Sequence, residues 1–312
     1  SAIPPGRQHP IRILIKPVAQ VRQFRMFRDV QSSGQRVPIL RIHFRQMQSV
    51  RQQSARHSPL SGVFIMAAVQ ALRANGIKLI FIYSTVSQLG YMVLAVAAGG
   101  ALGYAGGMLH LINHVFFKDL LFLICGAVMF ATHRDSLDDL GGIGRKMPFT
   151  LCMFAIAGLS VVGVPPTSGF SSKWLIYHAL MQAGQPFLAL LSLVGSVLTL
   201  AYIAKFLHAA FLGQPAPDLD DVHEAPGVMR VPMGILAAGC VLTGIFPGLA
   251  LMPVNSVLME YGLAPLNVGL SGVLSGPGAW NATGMFVMMA LAFLAGQGIT
   301  EYTPSVELTA QE

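Results

Sequence analysis

Long apolar runs take over the chain from about residue 80 and recur, separated by short polar stretches, almost to its end. A helix that crosses a bilayer needs about 20 largely apolar residues. The runs at 79–99, 104–130, 149–183, 185–213, 229–254 and 279–297 meet that requirement, and 61–74 reads as the remainder of an earlier one. The pattern therefore predicts an all-α, polytopic transmembrane helix bundle of six or seven spans. The run at 149–183 is long for one crossing. It carries Gly163, Pro165, Pro166 and Gly169 near its middle. Each proline removes a backbone donor, so the expectation is a single discontinuous helix broken there. Irregular backbone at that depth is tolerated only inside protein or beside water.

Composition agrees with a bilayer as solvent: 54% of residues are hydrophobic and only 11% charged, where soluble domains are nearer about 25% charged. The net charge of +7 has to be located before it means anything. Residues 1–57 hold ten arginines and one lysine against the single acid Asp29, so the membrane body is net acidic. This first segment shows no sustained period of 2 or 3.6 and reads as a disordered basic extension, or as the product of a misread frame. A chain opening on Ser1 suits a fragment or processed product. A nucleic-acid-binding arm is the other reading of the charge, and the lack of aromatic interleaving argues against it. Residues 58–297 form the expected membrane domain and 298–312 a cytoplasmic tail. Counting crossings in order puts Lys78, Arg134, Arg145, Lys146 and Arg230 on one side and no Lys or Arg on the other. By the positive-inside rule that first side is cytoplasmic, in a cell membrane. Cys125, Cys152 and Cys240 each stand alone in apolar surroundings and suggest packing, not a metal.

Charges inside the apolar runs carry the chemistry. Lys118 lies deep within GGMLHLINHVFFKDLLFLICGAVMF, and an intramembrane charge is a functional hypothesis in its own right. His110, His114 and Lys118 stand four residues apart. Each step turns a helix by about 40° and rises about 6 Å, so the three form a ladder along one face. Histidine titrates near neutrality, and such a row can pass protons. The alternative is interhelical hydrogen bonding by the histidines and an ion pair between Lys118 and a carboxylate such as Asp119. A metal site fits poorly, since no third ligand accompanies the two histidines. Lys173 follows the proline break with Ser168, Ser171 and Ser172 beside it, and discontinuous helices recur at transporter ion sites. Lys205 and His208 lie one turn apart near the cytoplasmic end, where they either join the pathway or snorkel to the interface.

Four stretches, IKLIFIYSTVSQLGYM (77–92), HLINHVFFKDLLFL (110–123), LGGIGRKMP (140–148) and GVPPTSGFSSKWLIY (163–177), resemble the antiporter-like membrane subunits of complex I, Mrp antiporters and energy-converting membrane hydrogenases. The likeness runs in one order from about 61 to 297. The SKWLIY run, with LTLAYIAKFLHAAFLG and EAPGVMRVPMGILAAGCVLTGIFP, looks most like the hydrogenase and formate-hydrogenlyase branch. Gly76 and Leu79 stand where the family usually has an acid and an arginine.

The resemblance implies two inverted repeats, each with a lysine in a broken helix. It would make Lys118 the central-axis lysine, His110 and His114 its relay, and Lys173 the lysine of the second half-channel. The first repeat is absent from this sequence, so the expected protein is a truncated form. The implied function is translocation of protons, or of Na⁺, driven by redox chemistry in partner subunits that carry iron–sulfur clusters. The chain itself is expected to hold no cofactor and no catalytic centre. A self-standing Mrp-type antiporter and a non-translocating structural remnant are the rival readings.

Overall fold

The computed structural model describes residues 60–216, 219 and 221–302 of the 312. The basic segment 1–57 and the tail beyond Tyr302 lie outside them. The chain builds a bundle from α1 (Leu60–Arg73), α2 (Ile77–Ala98), α3 (Gly100–Thr132), α4 (Pro148–Val162), α5 (Ser168–Gln182), α6 (Pro186–Phe206), α7 (Gly227–Ile245), α8 (Gly248–Glu260) and α9 (Ala282–Tyr302). A π-helical turn, Leu207–Leu212, prolongs α6. Four of these are long and apolar enough to cross a membrane: Ile77–Ala98, Gly100–Thr132, Pro186–Leu212 and Gly227–Ile245. The chain is thus a multi-pass membrane protein.

The run 229–254, read above as one span, is two helices. α7 ends at Ile245 and α8 starts at Gly248, because Phe246 leaves the helical region and Pro247 follows it. Pro247 has no N–H with which to continue α7. The sequence reading also missed a small hairpin, in which Val268–Gly269 pairs antiparallel with Gly272–Val273. α9 continues past 298 into the expected tail, as far as Tyr302.

α4 and α5 are 15 residues each, about 22 Å at 1.5 Å per residue, and neither alone spans a core of about 30 Å. Their neighbour α6 shows how they are arranged. Leu188, near its start, shares a buried cluster with Leu180 at the end of α5. Ser196 meets Lys173 and Tyr177. Further along, Ile203 packs over Gly158 and Phe206 stacks on Phe154, with ring centroids 4.9 Å apart. One antiparallel helix touches both halves in turn, so α4 and α5 lie end to end as one interrupted element. Gly163 ends α4 at φ 88°, a left-handed conformation that costs glycine nothing. Gly169 opens α5 with its Cα against the Ser160 carbonyl, where any side chain would collide. Together these two glycines let the second helix start beside the last turn of the first.

The basic loops gather at one end of the bundle. Asn75 donates to Asp138 at 2.8 Å, Gly76 bridges to Ser136, and Lys146 Nζ donates to the Leu219 carbonyl at 2.7 Å. Glu224, just before α7, accepts from the Phe149 and Thr150 N–H groups at 2.8 and 3.2 Å. These are free donors of the first turn of α4, where a carboxylate also meets the positive end of the helix dipole. Glu224→Gln is expected to destabilise the membrane domain by about 1 kcal/mol, seen as a lower detergent-solution Tm. An unchanged Tm would mean that the cap is dispensable.

Candidate functional site

Two lysines lie in the middle of this bundle, each only 2% exposed. Lys118 on α3 reaches α2, where its Nζ donates to Ser84 Oγ at 2.7 Å and the Phe81 carbonyl at 3.3 Å. Lys173 on α5 turns back across the break. Its Nζ donates to the Val161 and Val162 carbonyls at 2.9 and 3.0 Å, and to Ser196 Oγ at 3.1 Å. Those carbonyls end α4 and have no following turn to supply a donor. Among the described residues no carboxylate stands within ion-pair distance of either lysine. Uncompensated buried charge is costly, so hydroxyls, carbonyls and aromatic faces carry the whole task of holding these amines. Lys118 Nζ lies 5.7 Å from the Phe81 ring centre, and Lys173 Nζ lies 4.9 Å from that of Tyr91.

A string of polar side chains leads from one lysine toward the other. The Ser84 hydroxyl shares a 2.5 Å hydrogen bond with the Tyr202 hydroxyl of α6. Tyr202 lies within reach of Thr199 and Gln88, and Gln88 Nε2 donates to Thr199 Oγ1 at 3.4 Å. Gln88 Oε1 meets His110 Nε2 at 3.1 Å, and His110 Nδ1 meets Ser172 Oγ at 2.8 Å. On the far side, Lys173, Tyr91 and Tyr177 all converge on Ser196 Oγ. The two parts come together at Tyr91, whose ring centre is 5.8 Å from that of His110. No hydrogen bond between described side chains joins them there. A proton crossing that point needs an inserted water or a rotated hydroxyl.

The sequence candidates divide accordingly. His110, Lys118 and Lys173 share the buried string. His114 is half-buried with its Nε2 unpartnered, and it packs edge-on to Phe117 at 5.5 Å instead of bridging the other two. The ion pair considered between Lys118 and Asp119 is not formed, since Asp119 points outward. Lys205 lies one turn beyond Tyr202 on α6 and makes no hydrogen bond to the string. Its Nζ donates to the Leu72 and Ala74 carbonyls and to Asn75 Oδ1, at 3.1, 2.9 and 2.7 Å, and so caps the end of α1. His208 is exposed. Ser84, Gln88 and Tyr91 on α2 and Ser192, Ser196, Thr199 and Tyr202 on α6 were absent from the sequence candidates. Their signal was present: polar residues recurring every three or four positions through otherwise apolar helices, which is one helix face. Among the described residues no group of three or more His, Cys, Asp or Glu is placed to hold a metal ion.

The chain is thus a polytopic bundle with a proline-broken helix and two buried lysines approached by polar side chains. Residues 53–199 match the family model described as NADH:quinone oxidoreductase/Mrp antiporter, TM. Over these residues the chain is similar to that family of antiporter-like membrane subunits. It is 38% identical over 184 residues to NADH-quinone oxidoreductase subunit L of Rickettsia bellii, a match covering 58% of this chain and 28% of the relative. It is 34% identical over 194 residues to subunit N of Desulforudis audaxviator, covering 58% of this chain and 39% of that one. Among solved structures, a chain of the membrane-bound sulfane sulfur reductase, an archaeal respiratory membrane complex, superposes with TM-score 0.72 at 29% identity, over 79% of this chain and 40% of its own. A chain of the Mrp complex from Dietzia sp. shares the fold, with TM-score 0.59 at 24% identity, over 62% of this chain and 44% of that one. The chain thus spans less than half the length of these relatives.

Proposed function

We propose that this chain is an ion-translocating subunit of a redox-driven membrane complex related to complex I and the membrane hydrogenases, and that it moves protons along the string from Lys118 to Lys173. The observation that carries the reading is the pair of buried lysines without counter-ions, approached from both sides by hydrogen-bonded hydroxyls, an amide and an imidazole. A lysine amine or an imidazole can hold or release a proton, and the serine and tyrosine hydroxyls can each donate while accepting, as passage along a string requires. A change of charge in a neighbouring subunit would alter the field at Lys118 and push a proton toward His110. The unbridged step beside Tyr91 then separates the two lysines until water or a hydroxyl closes it.

Electron transfer would belong to partner subunits carrying iron–sulfur clusters, and this chain would hold no cofactor. The SKWLIY run and the segments LTLAYIAKFLHAAFLG and EAPGVMRVPMGILAAGCVLTGIFP support placing it near the hydrogenase-like branch, and the superposition on the sulfane sulfur reductase chain supports a respiratory membrane complex. The chain spans less than half the length of these relatives, so the route proposed is the part of the pathway carried by its described residues. The single-ended clustering of Lys78, Arg134, Arg145, Lys146 and Arg230 supports a cytoplasmic placement of that end. The Mrp-type alternative has the shared fold in its favour. It is distinguished by whether redox subunits co-purify.

Gln88 is the test residue because it links the Tyr202 and His110 groups and holds neither lysine. In vesicles containing the intact complex, Gln88→Leu is expected to lower gradient formation per electron several-fold, with uncoupled electron transfer unchanged. Wild-type pumping in that variant would remove the string as the route.

A further inference from the structure

Asp119 follows Lys118 in the chain and faces the opposite way. It is exposed and, among the described residues, makes no hydrogen bond or ion pair. Its surroundings on α3 are apolar: Leu111, Val115, Phe122 and Phe130 are 52, 49, 39 and 60% exposed. With Asp119 they run down one helix face at intervals of three, four and eight residues. The depth of the carboxylate follows from α2. Phe81 takes a hydrogen bond from Lys118, and its ring lies 6.4 Å from that of Phe122. Asp119 therefore sits level with Phe81–Ser84, roughly 5–9 Å inside Lys78 at 1.5 Å per residue. Lysine can extend to the interface from such a position, whereas the short aspartate side chain cannot. A carboxylate held there against lipid is costly, and such residues almost always face protein or water.

We infer that this stripe of α3 is a docking surface for a transmembrane helix of another subunit, one that presents a lysine or arginine to Asp119. The lone anion in an apolar stripe fixes the chemistry of the occupant: apolar above and below, cationic at one depth. A second copy of this chain paired through the same face would bring a second carboxylate instead of a cation. The arginines of residues 1–57 are interleaved with glutamines, with no apolar run long enough to lie along the stripe. The inference rests on the chain being one subunit of a larger membrane complex, and not on whether it moves ions.

The experiment uses the complex purified from its own membranes, with photoreactive benzoylphenylalanine in place of Val115 and, as a control on an exposed apolar face that carries no charge, in place of Leu190 on α6. Illumination should yield an adduct between Val115 and a different membrane subunit, at a peptide bearing a lysine or arginine, and no such adduct from Leu190. Asp119→Lys should lower recovery of intact complex on native gels at least ten-fold. Exchanging the identified cation for glutamate should restore it. Adducts from Val115 to lipid alone, or to this chain's own residues, would overturn the proposal, as would wild-type recovery of Asp119→Lys. The crosslinking arm keeps native Asp119, so it decides the question even if Asp119→Lys never inserts. A Gln88→Leu complex that pumps normally but still crosslinks at Val115 would count against ion transfer and leave this interface standing.

Discussion

Lys118→Ala is expected to abolish ion pumping, by ten-fold or more per electron, while electron transfer measured without a gradient continues at the wild-type rate. Lys118 is 2% exposed and its Nζ is held by Ser84 Oγ and the Phe81 carbonyl. Removing the amine deletes the proton-holding group at one end of the string. Neither partner is stranded: Ser84 keeps Tyr202, and the Phe81 carbonyl keeps the Thr85 hydroxyl at 2.8 Å. Assembly should therefore survive. Lys118→Arg should fail as well, because a guanidinium keeps its proton at any accessible pH. The assay is gradient formation in reconstituted vesicles against electron-transfer rate. Normal pumping per electron in Lys118→Ala would make the charge structural and end the translocation reading.

Lys173→Ala should lose pumping to a similar extent, and it should also lose stability, which distinguishes the two lysines. Lys173 serves the final carbonyls of α4 as well as Ser196. Without the amine, two carbonyls at the helix break face a buried interior with no donor, at about 1–3 kcal/mol for each unsatisfied group. The break itself then becomes the weak point of the bundle. A Tm several degrees below that of Lys118→Ala is expected in the same detergent. Equal Tm values would show that water replaces Lys173 at the break, and that its role there is not structural.

The helical membrane character was written in the sequence. Apolar runs of spanning length leave few alternatives, since in a bilayer every backbone polar group must be satisfied within the protein. The interruption at Gly163–Gly169 was equally legible, because two prolines and two flanking glycines act on the backbone locally. Lys118 and Lys173 stood out for the same reason: a charge in an apolar run is visible without knowing its neighbours. Less was visible where two helices had to meet. Pro247 divided α7 from α8 at a place where the hydropathy stayed high across the join, so composition alone showed one span.

What only the tertiary structure decided was direction. His114 and His110 look equivalent four residues apart, yet His110 meets Gln88 and Ser172 while His114 Nε2 has no partner. Lys205 suited a pathway role and an interfacial one equally by sequence, and α6 delivers its side chain to the free carbonyls at the end of α1. Lys118 and Asp119 are adjacent in sequence and face opposite sides of the bundle wall. The reason is common to all three. Periodicity fixes which residues of one helix share a face, but what that face meets depends on how neighbouring helices rotate and stack. That choice is made by contacts distant in the chain, such as Phe154 on Phe206 or Gly169 against Ser160.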